Sequence, residues 1–144
     1  MNVDAAVSTK GSIGAVAAVC RNDQGVFVAA SATVCPLADV ETLEAIACAE
    51  ALALAEDCGI RKVKVASDCL SVIKNIRDKT RCSYMMIVQD IQERTKLFDY
   101  AQFVHEGRDS NREAHMLAKL ACSLEHGRHV WMGSLPVNTV MIHE

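Results

Sequence analysis

The sequence is poor in aromatic residues and in proline, with three Phe, two Tyr, one Trp and two Pro among 144 residues. Half of the residues are nevertheless apolar, which excludes a disordered chain and leaves Ala, Val and Leu to supply most of the core. A chain of this length can bury one hydrophobic core, and no internal repeat, linker or low-complexity segment divides it. We therefore predict a single domain over residues 1–144.

A strong positive charge is also missing. The formal net charge is −3 and the isoelectric point is about 5.9, which excludes a strongly basic nucleic-acid binder. Contact with a nucleic acid would have to come from a local basic patch, or through metal ions that offset acidic ligands. No apolar run is long enough to span a bilayer, and no signal-peptide pattern occurs, so no membrane partner is expected.

Paired cysteines are absent as well. The seven cysteines are scattered singly, without a CxxC motif, at Cys20, Cys35, Cys48, Cys58, Cys69, Cys82 and Cys122. An odd number without paired spacing is typical neither of a disulfide framework nor of a zinc site. It is typical of reduced thiols, so we expect an intracellular protein of the cytoplasm or the nucleus.

Short β-rich runs, some with period-two alternation, predict five strands. They cover residues 1–8, 12–20, 25–35, 62–66 and 101–106. The turn that ends in Gly25 has the composition of a hairpin loop, which favours an antiparallel arrangement of the first three strands. Asp4 falls in the middle of the first strand.

Helical periods predict four helices between and after the later strands. They cover residues 38–59, 68–78, 83–98 and 112–127. Gly59 and Gly127 are expected to end the first and the last helix. The tail over 128–144 is expected to lie as an extended segment on the body. This order of elements belongs to an α/β domain with a mixed sheet.

The first helix is apolar almost all round between Leu43 and Ala55, which indicates a buried helix. Glu44 and Glu50 are the exceptions in this stretch. At about 100° per residue they lie roughly 120° apart, so they cannot both point the same way. We expect Glu50 at the solvated edge of the helix.

Three acidic residues occupy unusual places. Asp4 lies in a strand, Glu44 lies in the first turns of a buried helix, and Asp68 directly follows the fourth strand. Clustered and buried carboxylates repel one another, so such a set usually holds a cation, and hard oxygen ligands suit Mg²⁺ or Mn²⁺. Each residue also has a simpler interpretation: a solvent-facing strand residue, a first-turn glutamate and a helix N-cap, respectively. Spacing in one sequence leaves these alternatives open.

Three long segments carry a family resemblance: NVDAAVSTKGSIGAVAAVCRNDQGVFVAA, LEAIACAEALALAEDCGIRKVKVASDCLSVIKNI and SNREAHMLAKLA. Over residues 2–123 the chain resembles the ribonuclease H-like family, and it is most similar to the plant, reverse-transcriptase-like branch. The resemblance implies a five-stranded mixed sheet with three antiparallel strands first and helices on both faces. It also implies metal-dependent cleavage of the RNA strand of an RNA–DNA hybrid.

The resemblance also implies a site of four carboxylates, three of which fall on Asp4, Glu44 and Asp68 as ligands of Mg²⁺ or Mn²⁺. The fourth position, four residues after Asn111, holds His115 instead of aspartate. A neutral imidazole is a softer nitrogen ligand, which would weaken a second metal site and favour manganese. The implied catalytic set is therefore Asp4, Glu44, Asp68 and His115.

Substrate contacts are expected around the site. The polar loop after Asp4 and the start of the last helix supply the candidates, which are Ser8, Lys10, Ser12 and Asn111. His105 and Asp109 precede the last helix, and the sequence assigns neither of them a role.

The features of the sequence are compatible with two functions. The first is an endonuclease for RNA–DNA hybrids, weakened by His115. The second is a catalytically degenerate ribonuclease H-like domain that binds nucleic acid or a protein partner without cutting. The acidic isoelectric point and the missing fourth carboxylate favour the second, whereas Asp4, Glu44 and Asp68 favour the first. A related nuclease on the same fold is a third, weaker candidate.

Overall fold

A computed structural model describes residues 1–8 and 11–133 of the chain. The strands are β1 Asn2–Val7, β2 Ile13–Arg21, β3 Phe27–Pro36, β4 Lys62–Ser67, β5 Tyr100–His105 and β6 Gly127–Met132. The helices are α1 Val40–Asp57, α2 Leu70–Asp78, α3 Met85–Thr95 and α4 Arg112–Ala121, with a short 3₁₀ helix over Arg108–Asn111.

The described strands form one mixed sheet in the order β5-β4-β1-β2-β3-β6. β1, β2 and β3 pair antiparallel as successive hairpins, whereas β4 is parallel to both β1 and β5. The predicted mixed sheet, with three antiparallel strands first, is confirmed, and β6 adds a sixth strand. Because the carboxyl ends of β1, β3 and β4 lie at the same edge of the sheet, the segments that follow these strands gather there.

Helices cover both faces of the sheet, as predicted. α1, α2 and α3 pack on one face, where the largest buried side chains include Leu52, Ile73 and Ile91. Of the described α-helices, only α4 packs on the other face, over β1, β2 and β3, where it buries Leu117 with neighbouring alanines. β1 and β2 carry mostly small and branched residues, which are buried under the helices on both faces.

α1 is the buried helix that the apolar stretch predicted. It begins after Asp39, whose side chain accepts a hydrogen bond from the Thr42 amide at 2.7 Å. It ends at Asp57, and Gly59 follows with a φ of 69°, which only glycine adopts without strain. Glu44 is buried, and Glu50 at the edge of the helix is paired with Arg128.

The C-terminal part of the prediction was wrong. α4 ends at Ala121 and not at 127, because the Ser123 and Leu124 amides bond back to Leu120 and Ala121 in a closing turn. Gly127, with a φ of 108°, does not close the helix, and instead begins β6 along the free edge of β3. Residues 128–132 of the predicted tail are thus part of the sheet, and 134–144 lie outside the described residues. None of the described helices is long and apolar enough to cross a membrane.

Candidate metal centre

Three carboxylates meet where the pairing of β1 with β4 ends. Asp4 comes from β1, Glu44 from α1, and Asp68 from the residue after β4, and an oxygen from each lies within 4.8 Å of the others. Asp4 and Glu44 are only 5% and 4% exposed, so their charges are largely shielded from water. The structure thus brings together the three acidic residues that the sequence placed on separate elements.

The sheet register explains the meeting of the two aspartates. Asn2 of β1 pairs with Ala66 of the parallel strand β4, and Asp4 and Asp68 each follow two residues later. The two carboxylates therefore leave neighbouring strands at the same level. Glu44 reaches them from the first half of α1, which packs across β1 and β2.

Asp68 is not the N-cap of the following helix, which was its simpler interpretation. α2 begins at Leu70 after the N-cap residue Cys69, whose backbone amide donates to Ser67 Oγ at 3.1 Å. The Asp68 carboxylate is thus not needed to start α2.

Ser67 is a site residue that the sequence prediction missed. It is fully buried, and its hydroxyl lies 3.4 Å from Glu44 Oε2, to which it donates. The only signal in the sequence is a serine at an inward position of β4, in line with Val63 and Val65. One hydroxyl therefore joins the Glu44 carboxylate to the turn that carries Asp68.

The pKa values of Glu44 and Asp68 are raised in this group. Burial, followed by the hydrogen bond and negative charge of Asp4 and the charge of Asp68, raises the pKa of Glu44 to about 9. Burial and the charge of Asp4 also raise the pKa of Asp68, although the nearby Arg108 opposes this shift. Without a cation the group therefore retains a proton near neutral pH, and a divalent cation would be the natural replacement for that proton.

His115 joins this group through Asp4. Its Nδ1 lies 2.7 Å from Asp4 Oδ2, and because a carboxylate accepts, the ring nitrogen donates. The side chain is about half exposed, at 52%. The residue at the expected fourth position therefore contacts the carboxylate group. Nδ1 is bonded to Asp4, so Nε2 is the ring nitrogen that could bind a metal ion.

A cleft of about 490 Å³ opens above the three carboxylates. Its rim includes Arg108, Arg112 and Asp109, of which Asp109 and Arg112 lie 3.9 Å apart as an exposed ion pair. A second cavity of about 380 Å³ shares Glu44 and Asp68 and is also lined by His105. The deep part of the site is thus acidic, whereas its rim carries two arginines that would attract a phosphate group.

The expected substrate contacts occupy different environments. Ser8 Oγ accepts from the Ser12 and Ile13 amides at 3.1 and 3.2 Å, so it shapes the β1–β2 turn, and Ser12 is exposed there. Lys10 lies outside the described residues. Asn111 is buried and donates from Nδ2 to the Val3 carbonyl at 2.6 Å.

Comparison with known structures identifies the fold. The ribonuclease H1 of the archaeon Halobacterium salinarum has a TM-score of 0.78 at 23% identity, covering 84% of this chain and 94% of that one. The N-terminal ribonuclease H domain of a Mycobacterium tuberculosis protein has a TM-score of 0.71 at 16% identity, covering 81% and 95%. LC11-RNase H1, isolated from compost by a metagenomic approach and solved in complex with an RNA/DNA hybrid, has a TM-score of 0.66 at 17% identity, covering 81% and 90%.

Sequence comparison identifies the family. No curated protein matches the chain by sequence. The family model described as reverse transcriptase-like matches residues 2–121, which is most of the chain and includes all the residues of the carboxylate group. The chain therefore belongs to the reverse transcriptase-like family and has a ribonuclease H-like fold.

Proposed function

We propose that this chain is a divalent-metal-dependent endonuclease that cleaves the RNA strand of RNA–DNA hybrids. The observation that carries the proposal is the meeting of Asp4, Glu44 and Asp68 within 4.8 Å on a ribonuclease H-like fold. Each carboxylate comes from a different element, two are buried, and the described residues place His115 and two arginines around them. Burying two carboxylates next to a third destabilises the fold, and binding of a cation would offset this cost.

The donor set fits a hard cation. Asp4, Glu44 and Asp68 would hold Mg²⁺ or Mn²⁺, because carboxylate oxygens are the ligands that both ions prefer. The raised pKa of Glu44 supports the fit, since a divalent cation would remove the repulsion that the bound proton now relieves. The softer Nε2 of His115 suits Mn²⁺ better than Mg²⁺, which favours manganese as the more effective ion.

Side chains around the site would orient the metal-binding carboxylates and attract the substrate phosphate. A bound divalent ion would supply an activated water and stabilise the leaving oxygen of a phosphodiester. The hydrogen bonds from Ser67 to Glu44 and from His115 to Asp4 would orient these two carboxylates. Arg108 lies at the rim of both cavities beside Asp68, where it would attract the phosphate group to be cleaved.

The β1–β2 loop is the proposed contact surface for the hybrid. Ser8 and Ser12 lie beyond the carboxyl end of β1, the strand that carries Asp4, and Lys10 stands between them in the sequence. Hybrid duplexes are recognised mainly by shape and by 2′-hydroxyl and phosphate contacts, for which small polar side chains and backbone amides are suited. The complex of the structural neighbour LC11-RNase H1 with an RNA/DNA hybrid supports this substrate class.

Cleavage of an end-labelled RNA–DNA hybrid, measured separately with Mg²⁺ and Mn²⁺, tests the proposal. We expect cleavage of the RNA strand, faster with Mn²⁺, and no cleavage of double-stranded DNA. Asp68→Asn should abolish it, whereas Asp23→Asn, on the exposed β2–β3 turn, should leave the rate unchanged. Absence of RNA cleavage with both ions at high protein concentration would refute the enzymatic proposal.

A second candidate function is hybrid binding without cleavage. The observation that favours it is the histidine at position 115, whose Nδ1 is already bonded to Asp4 and which adds no negative charge to the group. Under this alternative, Asp68→Asn binds the hybrid as tightly as the wild type, and neither protein cuts it with either ion. Cleavage that Asp68→Asn abolishes would reject the alternative.

A further inference from the structure

Three consecutive residues of β1 are hydrogen-bonded to the first turn of α4 and the segment just before it. Asn2 Nδ2 donates to the Ser110 carbonyl at 2.8 Å, and Asn111 Nδ2 donates to the Val3 carbonyl at 2.6 Å. The third contact joins Asp4 to His115, one turn into the helix. The strand that carries Asp4 is thus tied to α4 at successive positions.

Asn111 stands at the N-cap of α4 but does not cap it. An asparagine at this position usually accepts a backbone amide of its own helix, and the Asn111 side chain makes no such bond. The residue is 1% exposed, and its Oδ1 has no hydrogen-bond partner among residues 1–8 and 11–133. Because a buried carbonyl without a partner costs about 1–3 kcal/mol, helix stability alone does not account for this asparagine.

The Val3 carbonyl lies where the pairing of β1 with β4 ends. The parallel register between these strands consists of the pair Asn2 and Ala66, with the Ala66 amide donating to the Met1 carbonyl at 2.7 Å. Beyond that pair, β4 gives way to Asp68 and the turn into α2. The Asn111 amide therefore satisfies a strand carbonyl immediately before the residue whose side chain enters the site.

We propose that Asn111 is a positioning residue for the carboxylate group. Its Nδ2 bonds to the Val3 carbonyl in place of a neighbouring strand. This bond holds β1 in position at the point where β4 turns away, and the divergence of the two strands leaves room between Asp4 and Asp68. In this role Asn111 acts through the backbone of β1 and does not contact the substrate. The inference rests on the proposed metal site, and it replaces the substrate contact that was expected for Asn111 from the sequence.

Metal affinity in the absence of nucleic acid is the first test. Asn111→Leu keeps the approximate volume of the side chain and removes its donor, and Asn111→Ala is the smaller alternative. Calorimetric titration with Mn²⁺ should give a dissociation constant about tenfold or more above that of the wild type, as for other residues that orient metal ligands. A substrate contact would instead raise the KM for the hybrid and leave metal affinity unchanged.

Gln92→Leu is the matched control. Gln92 Nε2 donates to the Ile76 carbonyl at 2.5 Å, so this variant also loses a bond from a side-chain amide to a backbone carbonyl, far from the site. It should lower the melting temperature without changing the dissociation constant for Mn²⁺. An affinity of Asn111→Leu equal to that of Gln92→Leu would overturn the inference.

Amide hydrogen exchange in the metal-free proteins is the second test. The amides of residues 3–5 should exchange faster in Asn111→Leu than in Gln92→Leu at equal global stability, because only the first variant frees β1. Unchanged exchange of these amides would overturn the inference even if metal affinity fell. If the wild type binds neither Mn²⁺ nor Mg²⁺, the proposed function fails, and the exchange of residues 3–5 alone decides whether Asn111 holds β1.

Discussion

His115 Nδ1 lies 2.7 Å from Asp4 Oδ2, so the histidine on α4 is hydrogen-bonded directly to a carboxylate of the candidate metal centre. A bond of this kind orients the carboxylate but contributes no negative charge of its own. The group therefore has three acidic members, with an imidazole where a fourth would lie. We therefore expect substitutions of His115 to change the metal affinity of the site and its preference between Mg²⁺ and Mn²⁺.

His115→Asp is expected to increase Mg²⁺-supported cleavage of an RNA–DNA hybrid by about tenfold, the scale on which residues around a metal act. A carboxylate at this position adds a hard oxygen donor and a negative charge, both of which favour Mg²⁺ over a nitrogen ligand. The measurement is the initial rate of cleavage in Mg²⁺ and in Mn²⁺. The ratio of the Mn²⁺ rate to the Mg²⁺ rate should fall.

His126→Asp is the control for this gain, because His126 is an exposed residue between α4 and β6. It introduces the same change of charge outside the site and should leave both rates unaltered. A Mg²⁺ rate of His115→Asp no higher than that of the wild type would show that position 115 does not limit the use of magnesium.

The metal-free protein is expected to lose stability as the pH rises. The pKa of Glu44 is raised to about 9 in the fold from a usual value of 4.5, so the folded state binds this proton more tightly than the unfolded state. The stabilisation is fully present below about pH 4.5 and is lost as the pH rises toward 9, at a total cost on the order of a few kcal/mol. Urea unfolding in a chelator at several pH values measures it.

Glu44→Gln should remove most of this pH dependence. The variant should be more stable than the wild type in chelator at about pH 8, and it should gain nothing from added Mg²⁺, whereas the wild type should be stabilised. Glu50→Gln is the control on the same helix, since Glu50 lies at the helix edge near Arg128. A wild-type stability that stays level between about pH 5 and 9 in chelator would contradict the expected linkage.

Much of the fold was predictable because the signals were local. β-rich composition, with alternation in some of the runs, predicted β1 to β5, and the apolar run around α1 predicted a buried helix with Glu50 at its edge and Glu44 on a different side. The positions of Asp4 and Asp68 on neighbouring strands were open in the sequence, because a side chain's place in a sheet depends on strand register. The family resemblance implied that Asp4 and Asp68 share a site without giving the register, and the pair Asn2 and Ala66 shows that the two carboxylates leave at one level.

The parts that were missed depend on distant partners. β6 forms because the outer edge of β3 is free to pair with it, and nothing near Gly127 distinguishes the start of a strand from the end of a helix. Ser67 joins the site through a hydrogen bond to Glu44, which lies 23 positions earlier in the chain. The N-cap role considered for Asp68 failed because α2 begins two residues later, at Leu70.

Tyr84→Phe is expected to reduce the free energy of unfolding by about 1–2 kcal/mol. The buried hydroxyl of Tyr84 donates to Glu41 Oε1 at 2.9 Å and accepts from Asn75 Nδ2 at 2.6 Å, so it links α1, α2 and the start of α3. Removing it leaves both partners without this bond. Tyr100→Phe, at a half-exposed tyrosine of β5, should change stability little, and an equal loss in the two variants would refute the role of the Tyr84 hydroxyl.

Lys79→Gly is expected to stabilise the protein by about 0.5–1 kcal/mol. Lys79 follows α2 with a φ of 55°, a left-handed conformation that costs a side-chain-bearing residue free energy and costs glycine almost none. Lys74→Gly removes the same charge from the middle of the same helix, where glycine should cost about 1 kcal/mol. The two variants should therefore shift the midpoint of urea unfolding in opposite directions. Destabilisation by both would show that the Lys79 side chain makes a contact that outweighs its backbone strain.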